Sequence, residues 1–170
     1  MQMMANWNTE LADIGKLVLA YTLALPVGWY REKEAHSIGV RTFPLVAMAS
    51  CGYVLVAVPL GQTDLTAQSR VIQGLVAGIG FIGGGAILKA EGSVHGTATA
   101  ASIWNTGVLG VAVAQNRFFL ALLLAVLNLF ALRVLMPLKL RLDQRKKDEA
   151  DIKAGVPPTF PSGRGPDDSQ

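Results

Sequence analysis

The sequence predicts an all-α fold, a polytopic membrane bundle of about five transmembrane helices. Three observations predict it. Five apolar stretches separated by short polar loops fill the chain from Leu11 to Met136. Of the 170 residues 51% are hydrophobic and only 16% charged, with a mean hydropathy of +0.39, a balance foreign to ordinary soluble domains. Residues 11–30, 43–60, 71–88, 97–114 and 118–136 each approach the roughly 20 apolar residues that a bilayer crossing takes. Buried helices of a soluble protein are also apolar all round, but five in succession with loops so short leave little chain to cover them. Residues 1–138 are therefore read as a transmembrane domain and 139–170 as a basic cytoplasmic tail. The tail is read as helical at first, then disordered where Pro, Gly, Ser and Asp take over after Gly155.

The start of the chain lacks the basic region of a cleavable signal peptide, and its first apolar run is longer than a signal core. It is read as a retained span. The lone Cys51 falls inside the second span, with no disulfide framework or CxxC metal pattern, and reads as a small packing residue. The net charge of +3 comes largely from residues 139–147. A basic patch directly after a span speaks for membrane orientation and lipid contact rather than nucleic acid.

Loop charge sets the topology. Arg31, Lys33, Arg41, Lys89 and the five basic residues that open the tail fall on one side, and only Arg70 and Arg117 on the other. The positive-inside rule puts the C-terminus in the cytoplasm and the N-terminus outside.

The spans then follow in order. Span one carries Pro26 near its inner end, where a kink is expected, and Trp29 and Tyr30 at the interfacial level. At its outer end Asp13 and Lys16 can pair at i,i+3, either as an interfacial pair or as a charged pair within the bundle. The alternating charges of the next loop suggest a short surface helix over 31–36, ended by Gly39. Pro44 opens span two in its first turn, and Pro59 and Gly61 are expected to close it. Span three holds Gly74, Gly78, Gly80, Gly83, Gly84 and Gly85, each costing about 1 kcal/mol against alanine in a helix interior. Close backbone packing against two neighbours is the preferred reading; a helix that breaks near Gly83–Gly85, as in discontinuous transporter helices, is the other. The Gly-x-Gly-x-x-Gly string from Gly78 to Gly83 is no nucleotide fingerprint, since no strand precedes it and it lies within an apolar span. Span four places Trp104 and Asn105 near its centre. Asn105, like Asn128 in span five, needs a hydrogen-bond partner in hydrocarbon. An interhelical bond is the plainer reading and an ion or ligand contact the sharper one.

No nucleophile–base set, zinc spacing or phosphate loop stands out, which points to a non-enzymatic protein without a cofactor. Glu32, Glu34 and Glu91 are the candidate ligands should magnesium bind, since that ion favours carboxylates and water. Solvated loop charges are the commoner state of such residues.

The motifs together resemble the MgtC/SapB membrane family over about residues 10–137. Gly28-Trp29-Tyr30-Arg31-Glu32 resembles its exit from the first helix, with a Tyr where an acid often stands. Gly39-Val40-Arg41-Thr42 resembles the start of the second. Arg70, Gln73 and the run from Gly78 through Gly80 and Gly83 to Gly85 resemble the third-helix signature. The fourth is matched by Val94-His95-Gly96-Thr97-Ala98-Thr99-Ala100-Ala101-Ser102-Ile103-Trp104, with His95 in place of a usual basic residue. The resemblance implies a multi-pass bacterial inner-membrane protein connected with growth or survival at low magnesium, in a family associated with virulence. Longer relatives add an ACT-like cytoplasmic domain, which this chain is expected to lack. Two functions are carried forward: a regulator that binds other membrane proteins through its small-residue faces, and a magnesium or other divalent-cation transporter or channel. The lipid bilayer and other membrane proteins are the expected partners, together with further copies of the chain. Asp13, Arg31, Glu32, Arg41, Thr42, Arg70, Gln73, Thr99, Trp104, Asn105 and the motif glycines are the candidate functional residues.

Overall fold

Every long apolar stretch becomes a helix, because a chain in hydrocarbon must satisfy its backbone polar groups internally. The computed structural model describes residues 2–35, 39–90 and 93–135. Its helices are α1 (Gln2–Ala35), α2 (Thr42–Thr63), α3 (Leu65–Gly85), α4 (Thr97–Ala114) and α5 (Phe118–Phe130), the last continued by one π-helical turn, Ala131–Leu135. Three helical segments, Trp7–Lys33, Leu65–Gly85 and Thr97–Ala114, are long and apolar enough to cross a membrane; Thr42–Ala57 and Phe118–Val134 are shorter apolar helices. The protein is an all-α membrane bundle.

Several boundaries differ from the sequence reading. The charged segment after Tyr30 is no separate helix, because α1 runs on through Pro26 to Ala35. Pro59 and Gly61 do not close α2, which ends at Thr63. The third helix begins before residue 71: the Asp64 carboxylate accepts the Thr66 N–H at 2.8 Å, an N-cap that starts α3 at Leu65. The same helix ends at Gly83–Gly85, where a break is the second reading of the sequence, and among the described residues no helix resumes before α4. It runs unbroken past Gly74, Gly78 and Gly80 and stops at Gly85, where the Ala86 and Ile87 N–H groups bond back to the Gly83 and Gly84 carbonyls at 3.0 and 3.1 Å. The loop that follows is a small antiparallel ribbon, β1 (Leu88–Ala90) against β2 (Ser93–His95), in the register Leu88 with His95. The expectations placed on His36, on Glu91 and on the tail 139–170 lie outside the described residues, as do the side chains of Glu34 and His95.

Helix α4 is the centre of the bundle. It packs on each of the other four helices and buries ten of its 18 residues, whereas α3 buries two of 21. Small residues make this crowding feasible. A Cβ at Gly110 would collide with the Ala47 carbonyl oxygen of α2, and one at Gly107 with the Ile79 side chain of α3. One core cluster is rich in alanine, with Ala20, Ala24, Ala47, Ala112, Ala121 and Ala125 around Cys51 and Leu109. A second, around Val27, Phe43, Ile79 and Ile103, lies under the end where α1 and α3 stop and α2 and α4 start. The turn from α4 to α5 takes only three residues. Asn116 adopts the left-handed conformation at φ 60°, and the N–H groups of Asn116 and Arg117 close a Schellman pair onto Val113 and Ala112 at 3.0 and 2.9 Å.

Candidate functional site

The end of the bundle shared by the end of α1, the start of α2, the end of α3 and the start of α4 gathers most of the motif residues. Arg31, in the last turn of α1, is buried, and its guanidinium donates to the Thr99 hydroxyl in the first turn of α4. A charged donor held away from water makes such a bond stronger than a neutral one. Two glycines let the following loop lie against α1. A Cβ on Gly28 would sit 2.9 Å from the Gly39 carbonyl oxygen, and one on Gly39 would run into Glu32. The loop is then fixed by the Val40 N–H, which donates to the Glu32 carboxylate at 2.6 Å.

The α3–α4 side of this end is equally tight. Gly83 approaches α4 so closely that a Cβ there would stand 3.2 Å from the Ala100 carbonyl oxygen. Gly96, which leads into α4, has φ +86°, and a Cβ on it would fall on the Ala86 carbonyl oxygen. Only glycine meets both demands. The first turn of α4 has no side-chain cap, so its N–H groups and the Arg31 guanidinium place positive charge at one spot. The arrangement is a polar clamp that ties α1, the α1–α2 loop and α4 at one level.

The other candidates lie elsewhere. Asp13 pairs with Lys16 at 3.6 Å in the opposite half of α1. Arg70 and Gln73 are exposed in the first half of α3, and Arg41 is exposed beside Thr42, which starts α2. Trp104 is about half exposed, 47%. Asn105 donates to the Leu124 carbonyl of α5 and Asn128 to the Ser102 carbonyl of α4, both at 3.3 Å. The two helices thus exchange amide bonds, the interhelical role expected of asparagine in an apolar span. Of the candidate metal ligands, Glu32 is engaged by Val40, and no group of three His, Cys, Asp or Glu side chains converges among the described residues. The close packing expected of the α3 glycines holds for Gly83 alone; Gly74, Gly78, Gly80, Gly84 and Gly85 have open space where a Cβ would be. Gly107 and Gly110 were missed as packing residues, although two glycines three apart in an apolar span are themselves a small-residue signal.

Comparison with known proteins covers the segments that form this end of the bundle. The model of the MgtC family matches residues 17–141, most of the bundle. This chain belongs to the MgtC family. Protein SrpB of Synechococcus elongatus is 37% identical over 120 residues, 64% of this chain and 66% of that protein. Putative magnesium transporter YhiD of Escherichia coli is 31% identical over 134 residues, 75% and 62% of the two chains. Protein MgtC of Salmonella typhimurium is 30% identical over 128 residues, 75% and 54%. The matched region is thus about half to two thirds of each curated relative. No solved structure matches it. Of the four motif segments, the clamp brings the first, second and fourth together, and the third contributes only Gly83.

Proposed function

We propose that this chain is a non-enzymatic regulator of the bacterial inner membrane, linked to adaptation to low magnesium and to ion homeostasis, and that it acts by binding membrane proteins. It would sit with its N-terminus outside and its tail in the cytoplasm, as the loop charges favour. The supporting observation is the outward face of α3. The outward faces of α1 and α5 carry residues suited to lipid, such as Leu11, Ile14 and Val18 on the one and Phe119, Leu122 and Val126 on the other. On α3, by contrast, Gln73, Gly74, Ala77, Gly78 and Gly84 are exposed. An amide facing hydrocarbon is costly, and small residues at membrane depth are the usual substrate of helix–helix contact. A Cβ at Gly78 meets nothing within 4 Å, so Gly78→Leu is expected to leave the bundle intact. It is expected to abolish growth support at low magnesium and capture of partners by crosslinking. Unchanged growth and capture with a folded Gly78→Leu protein would refute the reading.

The name of the relative YhiD favours a second reading, transport of magnesium. Its test is flux into liposomes holding the purified protein, beside empty liposomes and the Asn105→Leu variant. Saturable flux that is lost in the variant would establish transport and place the path near α4. Absence of flux from folded protein would leave regulation.

A further inference from the structure

At the clamp end, the seam between α1 and α2 carries an exposed aromatic ring and two exposed cations that the clamp does not use. Trp29 is 60% exposed, and the Lys33 ammonium lies over its ring, 5.4 Å from the centroid. Lys33 and Arg41 are both exposed. Arg41 is brought to this spot by two contacts of the loop before it: Gly39 and Val40 lie against Gly28, and the Val40 N–H is held by the Glu32 carboxylate. Its backbone is thus one residue away from the turn of α1 that carries Trp29. Arg31 is turned the other way, into the bundle and onto Thr99.

We propose that this seam binds the headgroup of an anionic phospholipid, with Lys33 and Arg41 on its phosphate and Trp29 where its acyl chains begin. The inference rests on the membrane bundle alone and not on the regulatory role. Depth supports it. Arg41 is the last charged residue before α2, which holds none. It and the neighbouring Trp29 therefore mark the edge of the hydrocarbon, the level at which tryptophan settles. Lys33 stands four residues further along α1, about 6 Å at 1.5 Å per residue. That step ends inside the headgroup layer, which adds about 5–8 Å to each side of the hydrocarbon core.

The chemistry fits a phosphate joined to acyl chains. An ammonium has three N–H donors, so one that sits over a ring still has donors to offer. A guanidinium matches two phosphate oxygens at once, and its long stem lets the charge reach out from the hydrocarbon edge. The Glu32 carboxylate beside them is turned to the Val40 N–H. Two cations on one phosphate favour a lipid of net negative charge over a zwitterionic one, whose own ammonium they repel. Beyond Trp29 the same face of α1 continues as an acyl chain requires. Val18 and Leu11 lie within about 20° of Trp29 at 100° per residue, and both are exposed. A soluble anion would gain nothing from that stripe.

The test is quenching of Trp29 fluorescence by dibrominated lipid. The chain has three tryptophans, so Trp7→Phe with Trp104→Phe leaves Trp29 alone. This protein is reconstituted in vesicles of one fixed mixture of phosphatidylglycerol and phosphatidylcholine, with bromine on one lipid or on the other. Trp29 is expected to favour phosphatidylglycerol by about fivefold or more, the worth of one cation near an anionic headgroup. Adding Lys33→Gln and Arg41→Gln is expected to bring the two lipids level, with helical circular dichroism unchanged. A chain that keeps only Trp104, 47% exposed on α4, is the control and should be quenched equally by both. Equal quenching at Trp29, or a preference that survives the double substitution, would overturn the proposal. The same preference at Trp104 would show diffuse surface charge and overturn it too. Loss of the preference to inorganic phosphate at constant ionic strength would give the cations to a soluble anion and overturn the lipid.

Discussion

Gly110→Ala should destabilise the bundle although it replaces a poor helix former by the best one. In a helix interior the exchange is worth about 1 kcal/mol in favour of alanine. At position 110 the new methyl lands on the Ala47 carbonyl oxygen and 2.9 Å from the Ser50 Cβ, where α2 and α4 touch backbone to backbone. Overpacking of a close contact costs roughly 1–3 kcal/mol, and a carbonyl oxygen cannot swing aside as the end of a side chain can. The cost falls at the upper end of that range, so the net effect is a loss of about 1–2 kcal/mol. Gly15→Ala is the matched control: Gly15 is exposed on α1 with nothing within 4 Å of the added methyl. It should gain up to about 1 kcal/mol from propensity alone. Both are read by titrating the detergent-solubilised protein with SDS and following helical circular dichroism. A Gly110→Ala protein as stable as Gly15→Ala would refute the close α2–α4 approach and with it the reason for glycine at 110.

Three further outcomes follow from the clamp and the α4–α5 pair. Gly96→Ala combines a left-handed φ, costing about 1–2 kcal/mol for a residue with a Cβ, with a collision on the Ala86 oxygen; its unfolding midpoint in detergent should fall further than that of any exposed α3 glycine changed to alanine. In a double-mutant cycle of Arg31→Met and Thr99→Val, the coupling energy should be about 1.5–3 kcal/mol, the worth of a buried charged hydrogen bond; a value near zero would show that the two side chains act independently. Asn105→Leu and Asn128→Leu should each cost about 0.6–1.7 kcal/mol, the range found for interhelical bonds in membranes, and their SDS titrations should show a bundle that still folds.

The helices were legible because hydrocarbon imposes one rule on every span. The α4 limits were read correctly, since Gly96 before it and the polar turn after it are local signals. The errors came where a breaker residue was outvoted by its surroundings. Pro59 and Gly61 look like an ending, but α2 continues because nothing after them offers a competing cap before Asp64. The ribbon over 88–95 went unseen, being too short for any periodicity to show. The site was half legible. Arg31, Glu32, Gly39, Gly96 and Thr99 stand out as motif residues, yet that Arg31 meets Thr99 across 68 positions depends on helix packing, which composition does not encode. The α3 glycines misled in the opposite sense, because all but Gly83 have open space where a Cβ would be, so a stripe of small residues is not by itself a contact within the chain.

The central place of α4 also bears on the order of assembly. Synthesis delivers α1, α2 and α3 before the helix that all of them rest on. Until α4 emerges, Ala47 and Ile79 have no glycine to close on, and Arg31 has no Thr99. The three-residue turn at Asn116 then makes α4 and α5 enter as one hairpin, joined by their exchanged asparagine bonds. The last two helices therefore act as a keystone, and a nascent chain stalled before residue 114 holds three spans in the bilayer with its polar clamp still open.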